Sequence, residues 1–180
     1  AHLRLYAKLY TLNPPVLQYI GLHRNDHVTV ITLRRPDRLN ALTREMTEEL
    51  HNVLDQVSGE FPATRAIVLT GAGRGFCSGA DVADISQRLD KDSTIKPSRQ
   101  TTGPSDIMRL APHIREIPQP VIAAVNGVAA GAGLGIALSC DIRIGSEAAR
   151  FTSVFVKRSL VPDAGVSQLL GALVGPGVAS

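Results

Sequence analysis

Aromatic residues are scarce in this chain, and it has no long basic run. Only 4% of its 180 residues are aromatic, and the net charge of +3 comes from scattered basic residues. A nucleic-acid surface needs a basic patch with aromatic side chains that stack on bases, so we do not expect nucleic acid as a partner. The sequence also has no apolar stretch of about 18 residues free of polar breaks and glycines, so we expect no membrane-spanning helix.

Cysteine is equally rare. Cys77 and Cys140 have no Cys-x-x-Cys partner and no nearby histidine, so neither a metal site nor a redox site is predicted. Two small buried thiols suit a reducing compartment, and we expect a cytoplasmic location. Residues 1–24 carry basic side chains without any acid, which leaves the mitochondrial matrix as the alternative. We interpret residues 1–22 as a plain N-terminal extension.

The remaining composition, 44% hydrophobic and 19% charged, is that of one globular domain with a substantial core. β-Branched and apolar runs predict strands, and apolar residues at helical spacing behind a capping Thr43 predict a helix. The polar segment 90–105 is predicted to be a mobile loop. The predicted strands are 28–33, 66–69, 121–125 and 141–144, and the further helices are 81–89, 105–117 and 166–173. This alternation predicts an α/β fold with a mostly parallel sheet.

Two apolar runs each end in a turn made of very small residues. The first is residues 66–71 (AIVLTG) leading into 75–81 (GFCSGAD), and the second is 120–127 (PVIAAVNG) leading into 131–135 (GAGLG). Small residues let backbone N–H groups approach a ligand oxygen closely. Two such turns facing one point would form an oxyanion hole, and the alternative is that the glycines only permit tight strand-to-helix turns.

Four ordered motifs give the chain a clear resemblance to the crotonase, or enoyl-CoA hydratase/isomerase, superfamily. They are residues 35–42 (RPDRLNAL), 75–81, 120–142 and 160–165 (LVPDAG). The resemblance implies a spiral of β-β-α units, with residues 23–180 forming an acyl-CoA-binding core. Family members usually continue into further helices that build a trimer interface, and the sequence ends before that region. A homotrimer or hexamer is expected if the region is present.

The resemblance also implies a substrate and a set of backbone donors. Family members bind acyl-coenzyme A thioesters and stabilise the enolate formed when a proton leaves the carbon beside the thioester. The implied donors are the N–H groups of Ala80 and Ala132. No separate cofactor is expected, because coenzyme A is part of the substrate. The implied coenzyme A contacts are Arg38, Ala41, Gly79, Asp81 and Val82, with Asp81 as a helix N-cap as the alternative, and Asn126 is expected to fix the second turn.

The acid–base residues depart from those of the hydratases. Hydratases use two glutamates, and this chain has Gly135 and Phe155 at the matching positions. Asp163 stands where several isomerases carry an acid, and a 1,3-proton shift needs only one base. The sequence therefore favours an enoyl-CoA isomerase over a hydratase. A non-catalytic acyl-CoA-binding homologue and an atypical hydratase remain alternatives, and Asp163 could instead cap the helix that follows it.

Other enzyme classes fit the sequence poorly. His51 and His113 lie on predicted helices without a Gly-x-Ser-x-Gly elbow, so a hydrolase triad is not predicted. The glycines of residues 131–135 have the wrong spacing for a dinucleotide-binding loop, and no Gly-Lys-Ser/Thr sequence follows either turn.

Overall fold

A computed structural model describes residues 17–84 and 107–179 of the chain. The elements are, in chain order, β1 (Ile20–Asn25), β2 (Val28–Leu33), α1 (Arg44–Ser58), β3 (Ala66–Gly71), β4 (Gly75–Cys77), α2 (Leu110–Glu116), β5 (Val121–Val125), β6 (Val128–Ala130), α3 (Ala132–Ser139), β7 (Ile142–Gly145), β8 (Arg150–Thr152), α4 (Val166–Val174) and α5 (Pro176–Ala179). Short 3-10 helices lie at Pro36–Arg38, Ile107–Arg109 and Val156–Arg158.

The strands form two sheets that the chain visits alternately. The larger sheet has the order β1-β2-β3-β5-β7, and the smaller one has the order β4-β6-β8. All neighbouring pairs are parallel except the β1–β2 hairpin. From β3 onward, each pair of consecutive strands places one strand in each sheet and is followed by a helix. Three β-β-α units therefore wind into a spiral, which confirms the expected fold.

α1 packs against the larger sheet through an apolar stripe. The Thr43 side chain accepts a hydrogen bond from the Met46 N–H at 3.3 Å and caps the helix, as predicted. The predicted stripe residues are all buried, and they are Met46, Leu50, Val53, Leu54 and Val57. They join the strand residues in the main core cluster. Burying such a stripe is the principal source of stability for a surface helix.

α3 differs from α1 because every one of its residues, Ala132–Ser139, is buried. Small residues let this helix pass between the smaller sheet on one side and the segment before α4 on the other. A second apolar cluster joins α3 to that segment, and it consists of Leu134, Leu138, Phe155 and Val166. α3 is thus the central element around which the last two units are arranged.

Several boundaries differ from the sequence prediction. β1 begins at Ile20, within the segment interpreted as an N-terminal extension, and Ile20 is part of the core. The α-helix predicted for 105–117 begins only at Leu110, after a 3-10 turn. The predicted mobile loop 90–105 and most of helix 81–89 lie outside the described residues. Within residues 17–84 and 107–179, no helix is long and apolar enough to cross a membrane.

Candidate functional site

The two glycine turns lie at the carboxyl ends of neighbouring parallel strands. β4 pairs with β6 in parallel, and each strand ends immediately before its turn, β4 at Cys77 and β6 at Ala130. Parallel strands present their carboxyl ends at the same sheet edge, which is where ligands bind in open α/β folds. The sheet topology therefore brings together the two turns that the sequence predicted to face one point.

The backbones of the two turns are in direct contact. Gly79 has φ of +95°, and a Cβ there would lie 2.8 Å from the Ala130 oxygen and 3.3 Å from the Ala132 nitrogen. From the other turn, a Cβ on Gly133 would lie 2.1 Å from the Cys77 oxygen. No side chain fits in either gap, so each turn needs a glycine where it meets the other. Ala80, the residue after Gly79, consequently lies beside the start of α3.

Both candidate donors have N–H groups that secondary structure leaves available. Ala132 is the first residue of α3, and the N–H groups of a first helical turn have no carbonyl within the helix to bond. Ala80 forms an isolated parallel bridge with Leu42. The Leu42 N–H donates to the Gly79 carbonyl at 2.8 Å, and the Leu42 carbonyl accepts from the Asp81 N–H at 2.9 Å. Since N–H directions alternate along a strand, the Ala80 N–H points away from Leu42.

Asn126 ties the turn after β5 to the turn after β3. Its side-chain nitrogen donates to the carbonyl oxygens of Gly73 at 2.8 Å and Gly75 at 3.2 Å. Its side-chain oxygen accepts from the Gly71 N–H at 3.3 Å. The expected structural role of Asn126 is confirmed, but its side chain holds the residues that precede the first glycine turn rather than the second turn itself.

Asn40 fixes the loop of residues 35–42, a role that no sequence pattern predicted. Its side chain is fully buried, accepts from the Arg35 N–H at 2.8 Å and donates to the oxygens of Ala72 at 2.9 Å and Gly75 at 2.8 Å. Asn40 has φ of +56°, a left-handed conformation that asparagine tolerates better than most residues. Its acceptors lie 32 and 35 residues away, so local pattern could not identify them.

Arg35 and Asp81 form a largely buried ion pair next to this loop. The guanidinium donates to the Asp81 carboxylate at 2.9 Å and also to the Ala41 carbonyl, and it lies 5.9 Å from the centre of the Tyr19 ring. Burial acts to raise the pKa of Asp81, but the hydrogen bond and charge of Arg35, with backbone N–H donors, outweigh it and lower that pKa. Asp81 is therefore ionised and held in place.

Asp81 also caps the helical turn that begins at Val82. One of its carboxylate oxygens accepts from the backbone N–H of Ala83 at 3.1 Å and of Asp84 at 3.3 Å. The alternative interpretation of Asp81 as an N-cap is confirmed. The side chain of Val82 is 62% exposed, so among the described residues it adds little to the core.

An open cleft of about 210 Å³ adjoins the loop and this helical turn. It is lined by Arg35, Arg38, Thr43, Asp81, Ala83 and Asp84. Two of the predicted coenzyme A residues, Arg38 and Asp81, therefore meet at one surface. Ala41 lies buried in the same loop, and Gly79 is paired with that loop through Leu42.

Asp163 lies half-buried in the segment that packs on α3. A Cβ on Gly135, in the second turn of α3, would lie 2.2 Å from the oxygen of Ala164, the residue next to Asp163. Burial raises the pKa of Asp163, partly opposed by a hydrogen bond from its own backbone N–H. The N-cap of α4 is Gly165, with no side-chain capping bond, so the prediction that Asp163 could cap this helix is wrong.

Phe155, which the resemblance matches to the second hydratase glutamate, serves as a packing residue. It follows β8, is 4% exposed and belongs to the cluster with Leu134, Leu138 and Val166. Neither Gly135 nor Phe155 can accept a proton. Of the three positions considered from sequence, only Asp163 supplies a carboxylate.

The structure also brings together the two histidines that the sequence left separate. The Nδ1 atoms of His51 on α1 and His113 on α2 lie 2.6 Å apart, and the rings stack with centroids 4.9 Å apart. The Nε2 atom of His113 lies 3.0 Å from the Asp55 carboxylate. The pair joins two helices. Within the described ranges, no group of three or more His, Cys, Asp or Glu side chains could hold a metal ion.

The spiral of β-β-α units with paired glycine turns defines a crotonase-type α/β protein. A family model described as enoyl-CoA hydratase/isomerase matches residues 23–180, and the chain belongs to that family.

Similar proteins include both isomerases and hydratases. The 1,2-epoxyphenylacetyl-CoA isomerase of Escherichia coli K12 is 38% identical, with 89% of this chain and 60% of the relative covered. The short-chain-enoyl-CoA hydratase of Clostridium acetobutylicum is 36% identical, with 91% and 60% covered. A crystal structure of enoyl-CoA hydratase from Bacillus anthracis matches with a TM-score of 0.77 and 35% identity, covering 90% of this chain and 60% of that one. The chain thus spans about 60% of each relative's length.

Proposed function

We propose that this protein binds an enoyl-CoA thioester and moves its carbon–carbon double bond by a 1,3-proton shift, with Asp163 as the single base. The observation that carries the proposal is the distribution of carboxylates. A half-buried Asp163 with a raised pKa lies in the segment packed on α3, while both hydratase positions are occupied by residues that cannot transfer protons. A carboxylate whose pKa is raised is a stronger base, which suits a group that takes up and returns one proton.

In this mechanism the Asp163 carboxylate removes a proton from the carbon beside the thioester of a β,γ-enoyl-CoA. The electron pair of the broken C–H bond moves into the thioester, which becomes an enolate. The N–H groups of Ala80 and Ala132 donate hydrogen bonds to its oxyanion, each worth about 3 to 4 kcal/mol in the transition state. The carboxylic acid then returns the proton to the γ-carbon. The double bond ends between the α- and β-carbons, and Asp163 is again a carboxylate.

Coenzyme A would bind along the cleft beside residues 35–42. The exposed Arg38 guanidinium offers a positive charge for a phosphate, and the cleft edge beside it carries Asp81, which is already neutralised by Arg35. Backbone groups of Ala41, Gly79 and Val82 are the proposed contacts for the pantetheine and adenine. This arrangement leads from the cleft, along the Leu42–Ala80 bridge, to the proposed oxyanion donors.

The names of similar proteins support both branches of the family. One relative is named as an isomerase and another as a hydratase. The loss of both hydratase carboxylates favours the isomerase. An atypical hydratase would require a different route for activating water, and a non-catalytic homologue would bind acyl-CoA without turnover.

The decisive experiment replaces Asp163 with Asn, which keeps the shape of the side chain but cannot accept the proton. Isomerisation of 3-hexenoyl-CoA is followed through formation of the conjugated thioester, and crotonyl-CoA serves as the hydration substrate. We expect wild type to isomerise faster than it hydrates and Asp163→Asn to lower kcat by about 100-fold. Asp26→Asn is the matched control, because Asp26 is an exposed turn residue.

The remaining outcomes separate the alternatives. Hydration of crotonyl-CoA at ordinary enzymatic rates, unchanged in Asp163→Asn, would show an atypical hydratase. Tight binding of hexanoyl-CoA with neither activity would show a non-catalytic acyl-CoA-binding protein.

Assembly as a homotrimer or hexamer, expected if the C-terminal region is present, also stays a prediction. Large apolar side chains are exposed along the last third of the chain, and they include Ile142, Ile144, Phe151, Val161 and Val178. Exposed apolar surface of this kind favours association. Light scattering on the purified protein measures the mass directly, and a monomer at micromolar concentration would contradict the prediction.

A further inference from the structure

Gly135 makes a close backbone contact that the proposed mechanism does not use. A Cβ at this position would lie 2.2 Å from the Ala164 oxygen, 3.2 Å from its carbonyl carbon and 3.3 Å from its Cβ. Real Cβ atoms do not approach a backbone oxygen so closely, and a carbonyl cannot rotate aside as a flexible side chain can. The space beside Gly135 is therefore filled by the main chain of the segment that carries Asp163.

This segment is anchored at the contact and on its C-terminal side. Ala164 is buried, and Val166 is buried in the second apolar cluster with Leu134 and Leu138 of α3. The Asp163 carbonyl accepts the Val166 N–H at 2.8 Å. Ala164 has φ of +46°, a left-handed conformation that a non-glycine residue keeps only when its surroundings impose it. The contact at Gly135 is one of the features that impose it.

We infer that Gly135 is a positioning residue for Asp163. Because Gly135 has no side chain, the Ala164 carbonyl lies directly against α3, and this contact determines where the Asp163 carboxylate lies. The inference rests on the proposed function of Asp163.

Relative burial decides which element would move if a side chain were added. All eight residues of α3 are buried between a sheet and the second cluster, whereas residues 159–162 of the opposing segment are exposed. The exposed segment is the one free to shift, and Asp163 would shift with it. A displacement of about 1 Å in a reacting group can cost about 100-fold in rate.

The test compares two glycine-to-alanine variants in helices. Gly135→Ala introduces the collision, and Gly171→Ala on α4 is the matched control because a Cβ there meets nothing within 4 Å. The measurements are kcat and KM for 3-hexenoyl-CoA, the pH dependence of kcat, and the dissociation constant of unreactive hexanoyl-CoA. Gly135→Ala should lower kcat by about 100-fold, leave hexanoyl-CoA binding within threefold, and move the acidic limb of the kcat profile, since the burial of Asp163 changes. Gly171→Ala should match wild type.

Other outcomes overturn the inference. If Gly135→Ala keeps kcat within twofold of wild type, the contact does not position the acid. If it fails to unfold cooperatively or loses hexanoyl-CoA binding, the contact holds the fold as a whole rather than Asp163. A normal kcat in Asp163→Asn would instead reject the proposed function, which separates the two failures.

Discussion

Replacing Asn40 with Ala should be among the most destabilising single changes in the described part of the chain. The substitution removes three hydrogen bonds from a fully buried side chain. The Gly75 carbonyl keeps a partner in Asn126, at 3.2 Å. The Arg35 N–H and the Ala72 carbonyl lose the bonds that Asn40 supplied.

The magnitude follows from these losses and from the backbone. Each buried group left without a partner costs about 1 to 3 kcal/mol, and Ala in a left-handed conformation costs about 1 kcal/mol more. With φ of +56° at this residue, we expect Asn40→Ala to lower the free energy of unfolding by about 4 kcal/mol. Asn40→Gly should be about 1 kcal/mol less harmful because glycine accepts this φ. Asn40→Asp should be at least as harmful as Ala, since it turns a carboxylate oxygen toward two carbonyl oxygens.

Urea unfolding followed by circular dichroism measures these differences, provided the slope with denaturant is unchanged among the variants. Asn52→Ala on α1 is the control, and it should change stability by less than about 0.5 kcal/mol. A loss below 1 kcal/mol for Asn40→Ala, or an Asn40→Asp variant as stable as wild type, would refute the reasoning. Either result would mean that this loop is not held by the Asn40 hydrogen bonds.

Three further predictions follow from charge and burial. Burial raises the pKa of Asp163 in the folded state, so at pH 7 the ionised Asp163 carboxylate favours the unfolded chain. Asp163→Asn should therefore raise the melting temperature at pH 7, and raise it less at pH 4, where this carboxyl is more protonated. An equal or lower melting temperature at pH 7 would contradict this. Burial raises the pKa of the Cys77 and Cys140 thiols to about 12, so iodoacetamide at pH 8 should label neither in the native protein and both in urea, as mass spectrometry can check. A double-mutant cycle with Arg35→Ala and Asp81→Ala should give a coupling of about 1 to 3 kcal/mol, and a value near zero would show that the pair is not coupled.

Sequence patterns predicted the longer elements because their signals are local. The stripe of α1 and the strands at 28–33, 66–69 and 121–125 depend on residue spacing within one element, and the structure places each of them as predicted. β4, β6 and β8 were not predicted individually, because three-residue strands with several glycines and alanines have no readable period. The β-β-α spiral came from the resemblance alone.

The site contacts that sequence patterns did not predict are mainly those between residues far apart in the chain. The two acceptors of the Asn40 side chain lie more than 30 residues away, and His51 and His113 are 62 residues apart. Asn126 was identified because it sits in a turn motif whose geometry needs a side-chain bond. The interpretation of Asp163 as a possible cap failed because the N-cap of α4 is Gly165, two residues after Asp163.

The oxyanion turns and the acid–base positions are determined by different parts of the chain. Main-chain contacts at Gly79 and Gly133 hold the two turns together, and those contacts do not depend on which side chains line the site. The acid–base positions lie on α3 and on the segments that pack against it, and residues without a carboxylate can occupy them without disturbing the turns. Phe155 packs in the second apolar cluster, and Gly135 contacts the Ala164 carbonyl. The same backbone can therefore hold different sets of side chains, and we propose that the reaction depends on which of positions 135, 155 and 163 carries a carboxylate. In this chain, position 163 is the one of the three that does.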